Sequence, residues 1–235
     1  MKKIPLILIP GLLCDHALWE HQAASLARVA ECIFTDKHMQ FESIEQIANA
    51  VVADAPPRFA LAGLSMGGYV ALEISRKHGE RVERLALADT SARADTVEQT
   101  ERRERLIALC HQGKFADVNE LLFSVLVQPG RLNDEELKRR IVDMAERIGP
   151  EVFIRQQKAI MGRRDQLPNL ADIECPSLVV CGEQDQITPL ECSQEMAAKI
   201  EKSELAVIAD CGHMSTMEQP ERTSAILLDW IMASH

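Results

Sequence analysis

A serine between glycines, an aspartate in a glycine–proline segment and a histidine beside a glycine lie far apart in this chain, yet together they could perform nucleophilic hydrolysis. The serine is Ser65 of Gly63-Leu64-Ser65-Met66-Gly67-Gly68. A hydroxyl is a poor nucleophile at neutral pH. It needs a base to take its proton, and the base needs a partner to fix its tautomer. His213, in Asp210-Cys211-Gly212-His213, is the candidate base. Asp185, in the segment from Gly182 to Pro189, is the candidate orienter. Asp89 and Asp210 are its rivals, although Asp210 stands so near His213 in sequence that turning back is difficult. The other histidines are worse placed. His16, His21, His78 and His111 fall in predicted helices, His38 follows a predicted strand, and His235 is the last residue. Negative charge that grows on an attacked carbonyl needs donors already aimed at it. The backbone N–H of Met66, directly after the serine, is one. The backbone N–H of Leu12, in Pro10-Gly11-Leu12-Leu13, is the other.

These groups require elements to hold them. Residues 58–62 are short and apolar, as a buried strand is, and 69–78 carry apolar residues at helical spacing, with Gly79 at the expected C′ position. Ser65 therefore sits at a strand-to-helix corner, the context of a G-x-S-x-G nucleophile elbow. Gly68 allows the helix a close approach to its neighbours. Strands are also predicted at 4–9, 31–35, 82–88, 177–181 and 206–209. Helices are predicted at 16–28 (capped by Asp15, with Leu18, Trp19, Ala23 and Leu26 inward), 44–55, 190–200 and 221–233. Ser43-Ile44-Glu45-Gln46 reads as a capping box, and the helix behind it buries Ile44, Ile47, Ala48, Val51 and Val52. Six strands, each followed by helical material, imply a parallel, doubly wound sheet. Ligands bind such sheets at the carboxyl ends of the strands, where Ser65, Asp185, His213, Leu12 and Asp89 all fall.

Between about Arg93 and Asp165 the alternation stops. Helices are predicted at 96–112, 114–127, 133–148 (capped by Asn133) and 151–161. The chain therefore divides into a core of 1–92 and 166–235 with a helical lid, 93–165, inserted in it. The lid carries 14 Lys and Arg against 13 Asp and Glu, and the remainder 12 against 23. A solvated helix surface accounts for these charges. A sharper reading has lid arginines holding an anionic substrate.

Composition bounds the class. With 235 residues and 46% apolar content, the core needs no staple. A net charge of −10 argues against nucleic acid and anionic membranes as partners. Seven scattered cysteines without a C-x-x-C fit buried, reduced thiols in a cytoplasmic protein. Cys14 and Cys211, near the site, are expected to pack rather than react. Lys2-Lys3 before the apolar run to Cys14 imitates a signal peptide. Pro5 and Pro10 interrupt that run, Leu13 precedes Cys14, and a strand is the expected reading. No stretch has the length of a membrane span.

The elbow, the Gly182–Pro189 acid segment and the Gly212-His213 loop together resemble the α/β-hydrolase fold superfamily, in a form with a helical lid. The stretch Leu87-Ala88-Asp89-Thr90-Ser91-Ala92-Arg93 is most similar to enol-lactonase-type enzymes. The resemblance implies a Ser-His-Asp hydrolase that cleaves a small carboxylic ester or lactone through an acyl-enzyme, with no cofactor and no metal. Carbon–carbon bond hydrolysis, thioester cleavage, acyl transfer, cofactor-free perhydrolysis and a non-turnover ligand receptor use the same parts. Two departures stand out. Pro10-Gly11 replaces the family's frequent His-Gly, and the family's two extra N-terminal strands have no room before residue 4. The strand near Cys32 should then be an outer edge, open to pairing in a homo-oligomer.

Overall fold

The computed structural model describes residues 3–233, so Lys2 of the basic start and His235 lie outside the described residues. Among the described residues six strands form one sheet: β1 (Ile4–Ile9), β2 (Ala30–Phe34), β3 (Phe59–Leu64), β4 (Val82–Ala88), β5 (Ser177–Gly182) and β6 (Ser203–Ile208). Their order is β2-β1-β3-β4-β5-β6, and every pair is parallel. The helices are α1 (Glu20–Leu26), α2 (Ile44–Asp54), α3 (Met66–His78), α4 (Val97–His111), α5 (Phe115–Leu126), α6 (Glu135–Ile148), α7 (Pro150–Met161), α8 (Leu190–Lys199), α9 (Ser215–Glu218) and α10 (Pro220–Met232).

A parallel strand covered on both faces must be apolar along its whole length. Phe59-Ala-Leu-Ala-Gly-Leu64 and Ser177-Leu-Val-Val-Cys-Gly182 meet that demand and are buried at every position. Successive side chains point to opposite faces. Leu6 and Leu8 therefore pack with Trp19, Leu26, Leu227 and Trp230 under α1 and α10. Ile7 and Ile9 pack with Ile47, Val51, Val70 and Met196 under α2, α3 and α8. The outer strands β2 and β6 are only partly buried, and Phe34 is left exposed at the β2 edge. The four helices α4–α7 lie between β4 and β5 in the chain. They share a smaller cluster of their own, which includes Leu106, Val118, Ile148 and Phe153 and reaches Leu13.

Several local expectations are corrected. Asp15 accepts from Ala17 N (2.9 Å), but what it caps is a 3-10 turn, His16–Trp19, and α1 ends at Leu26. The capping box at Ser43 does not form, since its side chain makes no cap hydrogen bond, and the nearby Glu45 pairs with Lys77 of α3. Asp134, not Asn133, caps α6. Its carboxylate accepts from Leu137 N (3.0 Å) beside the Arg131 guanidinium, a stronger acceptor at a helix N-terminus than an amide. Gly79 keeps a right-handed φ of −54° and leads into a 3-10 turn rather than a left-handed cap. Gly68 faces the side chain of Thr90 rather than backbone. The short helix α9 and the capping box of Thr96 with Gln99 were not anticipated.

The switch point of the sheet lies between β1 and β3, because the chain leaves β1 for β2 on one side and then crosses from β2 to β3 on the other. A crevice opens at such a point beyond the carboxyl ends of the strands. Leu12 follows one of these strands and Ser65 the other. Leu61, wholly buried in β3, tests the packing below them. Leu61→Ala is expected to lower the unfolding free energy by about 2–5 kcal/mol, measured by urea denaturation.

Candidate active site

Ser65 stands between β3 and α3 with φ 54°, a left-handed conformation that a side-chain-bearing residue adopts only under compulsion. Its neighbours supply the compulsion. A Cβ on Gly63 would overlap the Gly67 carbonyl, and one on Gly67 would overlap the carbonyl of Ile9. Ser65 N–H donates to Ala88 O (2.9 Å), and the Thr90 hydroxyl donates to Ser65 O (2.7 Å). The corner is thus fastened to the end of β4 on both sides of the serine, and Oγ projects beyond the sheet.

The structure brings the three sequence candidates into contact. Ser65 Oγ–H donates to His213 Nε2 (2.8 Å). With Nδ1 protonated, His213 donates to both carboxylate oxygens of Asp185 (2.9 and 2.8 Å). Asp185 is held in turn by Ile187 N (2.8 Å), Thr188 N (3.0 Å) and the Thr188 hydroxyl (2.8 Å). Burial penalises its charge, but the imidazolium of His213 and these donors outweigh the penalty, so the carboxyl lies below its usual range. Burial likewise opposes the imidazolium, yet the charges of Asp185, Asp89 and Glu218 prevail and raise His213 above its ordinary value.

The rivals hold other posts. Asp89 is fully buried at the end of β4, and its carboxylate accepts from Gly182 N (3.0 Å) and Ser215 N (3.1 Å). It thereby ties the acid segment to the chain beyond His213 while making no hydrogen bond to the imidazole. Burial, then repulsion from Asp185, raises its pKa. Asp210 is exposed. The ligand atoms of Asp89, Cys181 and Asp185 lie within 4.8 Å of one another. The acceptors there are already taken by N–H and O–H donors, and burial pushes the Cys181 thiol up to about 12, so the donor set does not suit a metal ion. All seven cysteines are unpaired. Burial pushes Cys14 up to about 12 and Cys211 higher still, which removes both as nucleophiles.

The loop after β1 carries a second non-glycine left-handed residue, Leu13 (φ 57°). Its N–H donates to Oε1 of the buried Gln156 on α7 (3.0 Å), and Gln156 Nε2 donates to His38 O (3.3 Å). Buried His38 contacts the Cys14 carbonyl through Nε2 (2.8 Å). This arrangement leaves the N–H of Leu12 unused, and Met66 N–H is also without a protein acceptor among the described residues. Glu218 of α9 secures the backbone around His213. Its carboxylate accepts from Gly212 N (3.0 Å) and Met214 N (3.1 Å), on either side of His213, and from Gln128 N (2.8 Å) just after α5. His213 N–H itself donates to Leu126 O (2.8 Å). The supporting roles of Gln156 and His38 were not legible in the sequence because their partners lie far along the chain, and that of Glu218 because residue type does not mark which backbone N–H groups a carboxylate accepts from. The one sequence signal for Glu218 was its nearness to His213.

Ser65 and His213 open into a cavity of about 600 Å³, walled largely by apolar side chains from α4–α7 and by Leu12, Leu13 and Tyr69. Among the described residues no helix is long and apolar enough to cross a membrane.

A family model described as "Alpha/beta hydrolase family" matches residues 6–226. Among curated proteins the chain is similar to "Putative carbamate hydrolase RutD" of Serratia proteamaculans, with 32% identity over 72% of this chain and 64% of that one. It is also similar to a 2-hydroxy-6-oxononadienedioate/2-hydroxy-6-oxononatrienedioate hydrolase of Paraburkholderia phymatum, with 28% identity over 74% and 62%. These matches thus span a little over three fifths of the curated relatives. Among solved structures, a thermophilic esterase from Thermogutta terrifontis superposes with a TM-score of 0.87 at 28% identity, over 98% of this chain and 90% of that one. The enol-lactonase from Burkholderia xenovorans LB400 superposes with a TM-score of 0.89 at 22% identity, over 99% and 93%, a likeness of fold.

The carboxylates around His213 set its titration. Its imidazole should titrate above 6.5 by NMR, and Asp185→Asn should lower that midpoint, since the largest favourable charge is lost.

Proposed function

We propose that this chain, which belongs to the alpha/beta hydrolase family, is an enzyme that hydrolyses a small carboxylic ester or lactone through an acyl-enzyme on Ser65. The observation that carries this reading is the unbroken run of contacts from Ser65 Oγ through His213 to Asp185, each 2.8–2.9 Å. Ser65 Oγ attacks the carbonyl carbon while its proton passes to His213 Nε2, and Asp185 stabilises the imidazolium. The N–H groups of Leu12 and Met66 receive the oxyanion. Collapse breaks the carbon–oxygen bond, and His213 gives its proton to the departing alcohol. In a lactone that alcohol stays attached to the acyl chain. Water then enters, His213 takes one of its protons, and the acid leaves as Ser65 recovers its hydrogen.

Residues 93–165 serve in this reading as a lid that walls the cavity and limits water around the acyl-enzyme. The partner is a small molecule, since a net charge of −10 disfavours nucleic acid. Seven unpaired cysteines fit a reducing compartment such as the cytoplasm.

Carbon–carbon bond hydrolysis is the second reading. The 2-hydroxy-6-oxononadienedioate/2-hydroxy-6-oxononatrienedioate hydrolases among the relatives favour it. It would use the same base and the same donors on an activated ketone. Side-by-side turnover of a p-nitrophenyl ester and a vinylogous 1,5-diketone separates the two. An ester rate that exceeds the diketone rate supports the first reading, and the reverse supports the second.

Ser65→Ala should lower ester turnover by about 10⁴-fold or more while the circular dichroism spectrum stays unchanged, and full activity in that variant would end the proposal. The rate should also depend on pH through His213. The imidazolium cannot accept the serine proton, so kcat/KM falls as pH drops, with the half-point above 6.5 because the histidine is raised. A flat profile between about pH 5 and pH 8 would contradict the assignment.

A further inference from the structure

The cavity has a cationic side as well as a reacting one. Arg93, Arg102, Arg103 and Arg163 line it, against a single lining carboxylate, Glu191. This occurs in a chain whose net charge is −10. Behind the wall one buried carboxylate, Asp95, serves two guanidiniums: Arg103 Nε donates to it at 2.7 Å, and Arg163 Nη1 donates to its other oxygen. One positive charge there is left without an opposite partner.

The two arginines make the same number of hydrogen bonds but differ in their cover, the Arg163 side chain being the more deeply buried. Arg163 lies over the Tyr69 ring (4.3 Å to its centre) and also donates to the carbonyls of Arg93 and Ile160. Arg103 donates through Nη1 to Gln157 Oε1 (2.8 Å) and through Nη2 to the second Asp95 oxygen (3.4 Å), and each of these nitrogens retains a further N–H group. Gln157 is wholly buried and lines the cavity, yet its Nε2 has no partner among the described residues. Arg102, the preceding residue on α4, has no carboxylate within salt-bridge range among the described residues, and it lines the same cavity. A guanidinium with spare donors, a buried amide that donates to nothing and an unpaired cation converge on one wall. Such a set matches a planar, two-oxygen anion.

We propose that Arg103 and Gln157 Nε2, with Arg102 at the edge, form a carboxylate-binding subsite, and that the substrate is an ester or lactone carrying a second, ionised acid group. This specificity rests on the ester-hydrolase reading, but its test does not need turnover. Ser65→Ala is titrated by calorimetry with monoethyl adipate, which keeps one carboxylate, and with diethyl adipate, which has none.

The monoester should bind at least about tenfold tighter than the diester near 20 mM salt, with the preference shrinking at about 200 mM. Arg103→Gln should cut that preference about tenfold, and Arg102→Gln about threefold. If Arg103→Gln fails to fold, the exposed Arg102 position and the salt dependence still decide. Equal binding of the two esters, binding of neither, or a preference untouched in every folded variant would overturn the subsite. Monoester preference with no ester turnover by the native enzyme would leave the subsite standing and remove the ester reading instead.

Discussion

The arrangement depends on a backbone constraint at one residue. Ser65 must hold a left-handed φ for its hydroxyl to clear the sheet, a conformation that costs about 1–3 kcal/mol for a non-glycine residue. Sterics keep it there. Gly63 and Gly67 let β3, the turn and β1 pack more closely than side chains would permit, and the ties to Ala88 and Thr90 close the remaining freedom. Relaxation of this corner would move the hydroxyl out of reach of the imidazole and carry Met66 N–H with it.

Around that corner the molecule gathers negative charge. Asp185, Asp89 and Glu218 are all buried near His213. Each is satisfied by a different set of donors: Asp185 by Thr188 and the imidazole, Asp89 by two backbone N–H groups, Glu218 by three. A buried carboxylate without such donors would be costly. Their common consequence is a histidine more basic than usual, which is what the proposed hydrolysis asks of a group that takes the serine proton. Burial, then repulsion from Asp185, raises the pKa of Asp89, whereas the carboxylate beside the imidazole lies below its usual range.

Much of this was legible in the sequence, for definite reasons. Glycine spacing around Ser65 encodes a backbone shape directly, and short apolar runs encode buried strands. Once the strands are placed, a parallel sheet puts everything that follows them on one edge, which is why Ser65, Asp185 and His213 could be expected to meet. Helix ends were less legible. Ser43 and Asn133 have the composition of caps, but the Ser43 side chain makes no cap bond, and at α6 the neighbouring Asp134 caps instead while also pairing with Arg131. The supporting residues were hidden for a related cause. Gln156 meets Leu13, and Arg103 meets Asp95 and Gln157, through contacts that join separate segments. Polar residues on amphipathic helices look the same in sequence whether they face solvent or a buried loop.

Glu218 joins two regions that the chain order keeps apart. One carboxylate binds the peptides on both sides of the base and also the first peptide beyond Val127. The helical insertion is therefore not an exchangeable cover, because its backbone shares a carboxylate with the loop that carries His213. A chimera that imports a foreign insertion to change selectivity inherits whatever its own α5 exit presents to this carboxylate. Grafts that preserve the Leu126–Gln128 backbone path keep His213 in register, whereas grafts chosen for cavity shape alone would lose that register and, with it, the proposed activity.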